Sequence, residues 1–286
     1  MGVSDKEKEV IVSLDENTSV TILKYGATVL SWKANGKEQL WLSDKAILDG
    51  TKAVRGGIPL VFPVFGPPPA AHATSALPQH GFARNHTWEL LGQTSQDPLT
   101  VQFGLGPEQL TEAARTQWGY DFTLIYSVTL TKDSLVTALT VENTDSKPFE
   151  FNVLFHTYLR IPEISEVTVS GLHGLPVIDK VSKSDYVESS SLISIGQEVD
   201  RVYKNSSDDV SVVSNGKPVF TIEGRKNIAD VVVWNPWTEK AQGLGDFYPK
   251  EGFHQMICIE TGSVAKFVTI DPSKKWEGSQ TIKAHL

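Results

Sequence analysis

The amino-acid sequence predicts an all-β protein built from antiparallel strands. Short runs rich in Val, Ile, Thr and aromatic residues recur along the chain, with polar or Gly/Pro-containing turns between them. Helical periodicity is nearly absent, and the best short candidate is residues 107–115. Strands that follow one another without intervening helices are typical of antiparallel sheets. The pattern therefore argues against a Rossmann fold or a barrel of parallel strands.

The predicted strands are runs bounded by turn-forming residues. They comprise residues 10–14, 19–23, 27–32, 100–103, 124–130, 134–141 and 231–234. Polar turn residues occupy 131–134 and 142–146, and we expect a hairpin-style turn at both places.

Residues 56–69 combine several prolines with large apolar side chains. Proline cannot donate a backbone hydrogen bond, which precludes pairing throughout as a central strand, whereas the apolar residues favour burial. We expect an ordered loop packed into the protein, the kind of loop on which β folds carry functional residues.

Composition limits the organisation and the partners. No Ser/Gly-rich linker or fixed-period repeat divides the 286 residues, and all-β units of ~200–250 residues are common. We therefore expect a single domain over residues 1–286. The net charge of -8 argues against nucleic acid or an anionic membrane as the main partner. An anionic ligand would need a local basic pocket.

Location and cofactors have few signals. Cys258 is the lone cysteine, the N-terminus is too charged for a signal peptide, and no apolar stretch approaches ~20 residues, so we expect a cytoplasmic protein. The C-terminal Ala284-His285-Leu286 only loosely matches a peroxisomal signal. Gly243-Leu-Gly245 lacks the third glycine of a dinucleotide-binding motif, which argues against a nucleotide cofactor. The spacing of His72, His80 and His86 does not match that of zinc ligands. We expect neither a cofactor nor a metal.

His156 and Glu260 stand out because each lies in a hydrophobic, strand-like run, 151–161 and 255–262. A buried charge is costly unless it has a partner or a function. An imidazole and a carboxylate facing one pocket could act as acid and base near neutral pH. The alternatives are a histidine satisfied by backbone bonds and a glutamate that reaches solvent or pairs with arginine.

Strand alternation assigns faces to these runs. His156 falls with the even-numbered residues of its run, whose polar members line a wetter space, whereas the odd-numbered residues face the core. Glu260 falls on one face with Met256 and Cys258.

Further polar residues could bind a ligand. Gln79, His80 and Arg84 surround a glycine that permits a tight turn, and Arg55 precedes Gly56-Gly57. Arginine offers a planar fork suited to phosphate or carboxylate oxygens. For Gln79, His80 and Arg84 the alternative is an exposed turn. Trp234 and Trp237 could stack on a sugar ring or belong to the core. The sequence around Asp200 gives little indication of function, and a solvated acid in a loop is the alternative.

Six motifs in order resemble the glucose-6-phosphate 1-epimerase (hexose-6-phosphate mutarotase) branch of the aldose 1-epimerase family. The resemblance runs from about Glu9 to Trp276. The motifs are Val54-Arg-Gly-Gly-Ile-Pro-Leu-Val-Phe-Pro63, Gln79-His-Gly-Phe-Ala-Arg84, Leu154-Phe-His-Thr-Tyr158, Asp200-Arg-Val-Tyr203, Val233-Trp-Asn-Pro-Trp237 and Ile257-Cys-Ile-Glu260.

The resemblance implies a galactose-mutarotase-like antiparallel β-sandwich, or supersandwich, with the sugar site on a concave sheet face. It implies that His156 and Glu260 are catalytic. Substrate-binding residues implied by position are Arg55, Gln79, His80, Arg84 and Asp200. The loop at 67–76 differs from the family pattern and leaves the rim of the pocket open.

The implied reaction interconverts α and β anomers of a sugar phosphate, with Glu260 as base and protonated His156 as acid, and needs no cofactor. We expect a monomer with a small-molecule substrate. Three alternatives stay open: an epimerase of unphosphorylated hexose, a non-catalytic carbohydrate-binding sandwich, and a glycosidase using Asp200 with Glu260.

Overall fold

Residues 2–286 are described by a computed structural model. Met1, where the predicted domain begins, lies outside them. The strands are β1 (Gly2–Asp5), β2 (Glu9–Ser13), β3 (Ser19–Leu23), β4 (Thr28–Ala34), β5 (Lys37–Glu38), β6 (Leu60–Val61), β7 (Glu89–Gln96), β8 (Leu99–Leu105), β9 (Phe122–Leu130), β10 (Ser134–Asn143), β11 (Phe149–Phe155), β12 (Tyr158–Arg160), β13 (Val167–Ser170), β14 (Pro176–Asp179), β15 (Ser184–Val187), β16 (Leu192–Ser194), β17 (Val199–Tyr203), β18 (Val210–Ser214), β19 (Lys217–Lys226), β20 (Asp230–Asn235), β21 (Met256–Ile270) and β22 (Lys275–Ala284).

Helices are few and short. They are α1 (Glu112–Gln117), α2 (Trp237–Gly243) and the 3-10 helices Ala83–Asn85, Pro107–Gln109, Ile164–Glu166 and Lys250–Gln255. Within residues 2–286, no helix has the length and apolar character needed to cross a bilayer. The predicted all-β fold is confirmed.

The strands form three sheets. Strands β1 to β5 form a five-stranded sheet in sequence order, and a nine-stranded sheet has the order β16-β13-β18-β19-β22-β10-β9-β8-β7. An eight-stranded sheet has the order β15-β14-β17-β20-β21-β11-β6, with β12 also paired to β21. Pairing is antiparallel, as between β11 and β21 and between β20 and β21.

The nine-stranded and eight-stranded sheets pack face to face over the main core. The Tyr126 ring of β9 stacks on the Phe155 ring of β11, with ring centroids 6.3 Å apart. A buried hydrogen-bond network also joins the layers, because the Gln280 amide contacts the hydroxyls of Thr137, Thr157 and Thr261. A buried polar group with partners avoids the cost of an unmade hydrogen bond.

The predicted alternation along 151–161 and 255–260 is confirmed by the packing. Phe155 and Ile257, from the odd-numbered sets, lie in the main core between the sheets. Leu154 and Cys258, from the even-numbered sets, lie in a second apolar cluster on the opposite face of the eight-stranded sheet. This outer face also carries the cavity described below.

Two local predictions need correction. The hairpin at 131–134 is confirmed by the pairing of β9 with β10, but the one at 142–146 is wrong because β10 and β11 belong to different sheets. There the buried Asn143 amide donates to the carbonyls of Lys147 and Ile270, which stabilises a crossover between sheets.

The helix predicted over 107–115 is split into a 3-10 turn and α1, which begins later. Thr111 caps α1 by accepting a hydrogen bond from the Ala114 amide at 3.3 Å. A threonine that accepts in this way ends one segment and starts the next.

Residues 56–64 form the buried, ordered loop that the sequence predicts, with one short strand, β6, at the edge of the eight-stranded sheet, whereas Pro67 and Pro69 are exposed. The Pro63 carbonyl accepts from the Asn152 amide at 2.7 Å, which ties the loop to β11. Gly81 lies so close that an added Cβ would be 2.2 Å from the Phe62 carbonyl oxygen. This contact places residues 79–84 over the outer face.

Another close approach sets the spacing of the central strands. A Cβ at Gly262 would lie 2.2 Å from the Val153 carbonyl oxygen. Glycine at 262 therefore lets β21 and β11 lie together, and His156, directly after β11, comes to face Glu260 of β21.

Replacing Gly262 with alanine should lower the free energy of unfolding by about 1–3 kcal/mol, because a backbone atom blocks the new methyl group. Urea denaturation followed by circular dichroism measures the change. The control is G196A, since nothing lies within 4 Å of a Cβ at Gly196, and it should stay within about 0.5 kcal/mol of wild type. Equal stabilities for the two variants would contradict the close approach.

Candidate active site

A cavity of about 390 Å³ opens on the outer face of the eight-stranded sheet. Its base comes from Asp200 of β17, Trp234 of β20 and Glu260 of β21, and its rim comes from loops and α2. The cavity brings together every residue predicted from the sequence as catalytic or substrate-binding. They are Arg55, Gln79, His80, Arg84, His156, Asp200 and Glu260.

His156 and Glu260 meet at the floor of this cavity. The His156 Nδ1 atom lies 3.3 Å from Glu260 Oε1, and the two residues are 9% and 2% exposed. The imidazole stacks on the Tyr158 ring at 4.7 Å and 7°. Among the described residues, neither His156 Nδ1 nor Glu260 Oε2 has a hydrogen-bond partner. Buried polar atoms without a partner are exceptional in folded proteins, and here they face a cavity in which a ligand could supply the missing hydrogen bonds.

Burial sets the protonation of this pair. It raises the pKa of Glu260 well above its ordinary value, and the nearby Asp200 carboxylate adds to the effect. It lowers the pKa of His156 well below its ordinary value, and His80, Arg84 and Arg55 lower it further. These surroundings therefore favour a neutral imidazole beside a protonated carboxyl. Moving that single proton across the contact gives the ionised pair expected from the sequence.

His80 lies beside the pair, with its ring centroid 6.2 Å from that of His156. Its backbone has a positive φ of 67° and is followed by Gly81 at 69°. The Gly66 amide donates to His80 Nδ1 at 3.3 Å, so the neutral ring carries its proton on Nε2. Burial and the cations Arg84, Lys180 and Arg55 lower its pKa to about 2. His80 is therefore a neutral hydrogen-bonding group.

The two arginines have different surroundings. Arg55 donates from Nε to Asp246 at 3.2 Å and from Nη1 to the Tyr158 hydroxyl at 3.3 Å. Its charge is thus balanced by a buried carboxylate, which Lys52 also contacts at 2.9 Å.

Arg84 has no comparable acidic partner in the described part of the chain. It donates from Nη2 to the Gln79 carbonyl at 3.2 Å, and its buried Nε has no hydrogen-bond partner. Burial lowers its pKa to about 10. An uncompensated guanidinium in a cavity is a binding point for an anion.

Sequence reasoning missed two cations of the cavity, Lys180 and Lys240. Lys180 lies in the turn after β14 and Lys240 in α2, and a lysine in a polar turn or short helix carries no signal of its own. Lys240 forms an ion pair with Glu198 at 3.0 Å.

The tryptophans that the sequence left undecided have separate places. Trp234 lines the cavity and is 8% exposed. Trp237, the first residue of α2, packs on Phe253 with ring centroids 5.2 Å apart and does not line the cavity.

His156, Cys258 and Glu260 are the residues whose atoms could together approach a metal, since their ligand atoms lie within 4.8 Å of one another. Zinc binds the thiolate form of cysteine. Burial raises the pKa of the Cys258 thiol well above its ordinary value, and the residue packs in the outer apolar cluster. This donor set is therefore poorly suited to a metal.

Comparison with known proteins agrees with this architecture. The family model described as aldose 1-epimerase matches residues 10–283. A protein from Cenchrus ciliaris with the provisional name glucose-6-phosphate 1-epimerase is 33% identical over 97% of this chain and 84% of its own length. One from Escherichia coli K12 with the same provisional name is 30% identical over 97% and 90%.

Solved structures show the same fold. A Salmonella typhimurium protein provisionally named a mutarotase superposes with a TM-score of 0.84 at 29% identity, covering 99% of this chain and 93% of the other. The galactose 1-epimerase of Lactobacillus acidophilus superposes with a TM-score of 0.70 at 14% identity, covering 97% and 94%.

Fold and site together define a galactose-mutarotase-like β-sandwich with a polar cavity on one sheet face. The chain belongs to the aldose 1-epimerase family.

Replacing Glu260 with glutamine should make the protein more stable, and by an amount that grows with pH. The folded-state pKa of Glu260 is raised above 4.5, so the folded protein keeps a proton that the unfolded chain releases as pH rises. Above pH 4.5 the buried Glu260 therefore lowers the free energy of unfolding by about 1.4 kcal/mol for each further pH unit. The loss ends when the pH reaches the folded-state pKa of Glu260. Glutamine avoids that cost.

Denaturation of wild type and E260Q between pH 4.5 and pH 8 measures this difference. The matched control is E89Q, which makes the same substitution at an exposed glutamate of β7, away from the cavity. A pH-independent offset between E260Q and wild type would contradict the assigned protonation.

Proposed function

We propose that this protein interconverts the α and β anomers of hexose 6-phosphates, with glucose 6-phosphate as substrate. The observation that carries the proposal is the buried contact of His156 with Glu260, 3.3 Å apart at the floor of a cavity. The cavity also holds Arg84, which forms no ion pair with a carboxylate within residues 2–286 and whose buried Nε has no hydrogen-bond partner there.

The pair has the groups that anomer exchange requires. Opening the ring removes the proton of the C1 hydroxyl and adds a proton to the ring oxygen; rotation about C1–C2 and closure then reverse both steps. In our proposal Glu260 takes the hydroxyl proton and His156 protonates the ring oxygen. Each positioned group can contribute ~10²–10⁴ in rate.

The protonation states of the two residues favour Glu260 as the base and His156 as the acid. Ring opening by an ionised pair ends with a protonated Glu260 and a neutral His156, which is the state that burial favours. The cavity thus helps the proton transfers that open the ring. Closure returns both protons, so the pair ends as it began and no other reactant is consumed.

The charges around the cavity support a phosphorylated substrate. The chain has a net charge of -8, yet Arg55, Arg84, Lys180 and Lys240 all line this one space. Phosphate oxygens accept charge-assisted hydrogen bonds from such groups. A neutral hexose would leave Arg84 uncompensated. The provisional names of the relatives agree with a hexose phosphate.

The proposal includes a cytoplasmic, monomeric enzyme that acts without a nucleic-acid or membrane partner. The net negative charge supports the lack of a nucleic-acid partner. The lone buried Cys258 supports the cytoplasmic location.

Replacing either member of the pair should abolish most of the activity. H156N and E260Q should each equilibrate α-glucose 6-phosphate about 10²–10⁴ times more slowly than wild type, because each loses one proton-transfer group. Polarimetry follows the reaction, and circular dichroism checks that the variants are folded. Wild-type rates in a folded H156N would leave a sugar-binding protein in which His156 is structural.

Replacing Arg84 should separate phosphorylated from free sugar. R84A should raise the KM for glucose 6-phosphate about 10-fold or more, because a charge-assisted hydrogen bond is lost, and should change turnover of free glucose much less. R55A should act in the same direction but also lose stability, since it leaves Asp246 with Lys52 alone. Equal losses on both sugars would favour an epimerase of unphosphorylated hexose.

A further inference from the structure

Lys180 lies on the cavity rim in a turn that is held rigidly. Asp179 Oδ1 accepts hydrogen bonds from the amides of Val181 and Ser182, each at 3.0 Å. Its Oδ2 accepts from Arg201 Nε at 3.0 Å, and the Lys180 amide donates to the Asp200 carbonyl at 2.9 Å. The backbone therefore fixes where the Lys180 side chain starts.

The ammonium of Lys180 is held more loosely. Its Nζ lies 3.5 Å from Asp200 Oδ1 and 3.8 Å from the centroid of the Phe65 ring, and the side chain is 35% exposed. The ion pairs of Arg55 with Asp246 and Lys240 with Glu198 are shorter, at 3.2 and 3.0 Å. The contact of Lys180 with Asp200 is thus the longest of the three, which favours an exchange of partner.

Lys180 and Arg84 line the same cavity as His80 and Glu260. Both lower the pKa of His80, and both oppose the rise in the pKa of Glu260. His80 and Glu260 therefore lie within electrostatic range of both cations. A dianionic group near His80 would meet a guanidinium fork and an ammonium together.

We propose that Lys180 binds the phosphate of the substrate together with Arg84, and that Asp200 is its counter-ion only while the cavity is empty. This inference rests on the proposed function, because it assigns the phosphate end of the same substrate. The depth of the groups fits it. The reacting carbon lies at the floor, where Glu260 is 2% exposed, and the phosphate on the far carbon extends toward the more exposed Lys180.

The exchange of partners has a consequence for Asp200. When phosphate draws Lys180 away, the Asp200 carboxylate becomes free to accept hydrogen bonds from sugar hydroxyls. Phosphate binding and sugar recognition are then linked through one lysine. A lysine that served only to balance Asp200 and Glu260 would instead affect phosphorylated and free sugars alike.

The test compares K180Q with K183Q. Lys183 is exposed on the same turn between β14 and β15, so K183Q makes the same change of charge away from the cavity. K180Q should raise the KM for glucose 6-phosphate and the Kd for inorganic phosphate about 10-fold, with a much smaller effect on free glucose. K183Q should stay within about twofold of wild type on all three, as expected for a solvent-screened charge.

Two results would overturn the assignment. One is a K180Q that behaves like K183Q toward inorganic phosphate, and the other is an equal loss on glucose 6-phosphate and glucose. Isothermal titration with inorganic phosphate needs no turnover. It therefore tests Lys180 even if wild type does not accelerate anomer exchange, a result that would defeat the proposed function alone.

Discussion

The burial of an imidazole against a carboxyl is the interaction on which the rest of this structure depends. His156 and Glu260 lie 3.3 Å apart at the floor of a cavity, with one polar atom of each lacking a hydrogen-bond partner within residues 2–286. Such an arrangement costs stability. The fold maintains it through the close approach at Gly262 and the stacking of His156 on Tyr158. Stability given up at this place is consistent with a site that gains partners when sugar binds.

The distribution of charge follows from the same site. An acidic chain concentrates cations around one cavity, and each has a different balance. Arg55 is paired with the buried Asp246 carboxylate, and Arg84 has no ion-pair partner among the described residues. Lys180 is paired with Asp200 at 3.5 Å, a longer distance than the 3.2 Å of Arg55 and Asp246. The graded balance orders these cations by how firmly each is already paired before an anionic ligand binds. It also keeps His80 neutral, so that this ring contributes hydrogen bonds without adding charge.

Much of this could be predicted from the sequence, because strand alternation is local. Period-two patterning separated Phe155 from Leu154 and Ile257 from Cys258 correctly. The resemblance to a family supplied candidate residues that the fold then brought into one cavity. What could not be predicted depends on distant contacts: that β11 pairs with β21, that residues 142–146 cross between sheets, and that Asp246 balances Arg55. Lys180 was missed because its meaning comes from the position of its turn beside Asp200.

The most direct test of the central claim is a crystal structure of the E260Q variant bound to glucose 6-phosphate. The account predicts a sugar ring whose C1 hydroxyl contacts the side chain at 260 and whose ring oxygen lies about 2.6–3.2 Å from an imidazole nitrogen of His156, with the phosphate toward Arg84. A sugar bound in the cavity with its anomeric carbon away from both side chains would contradict it.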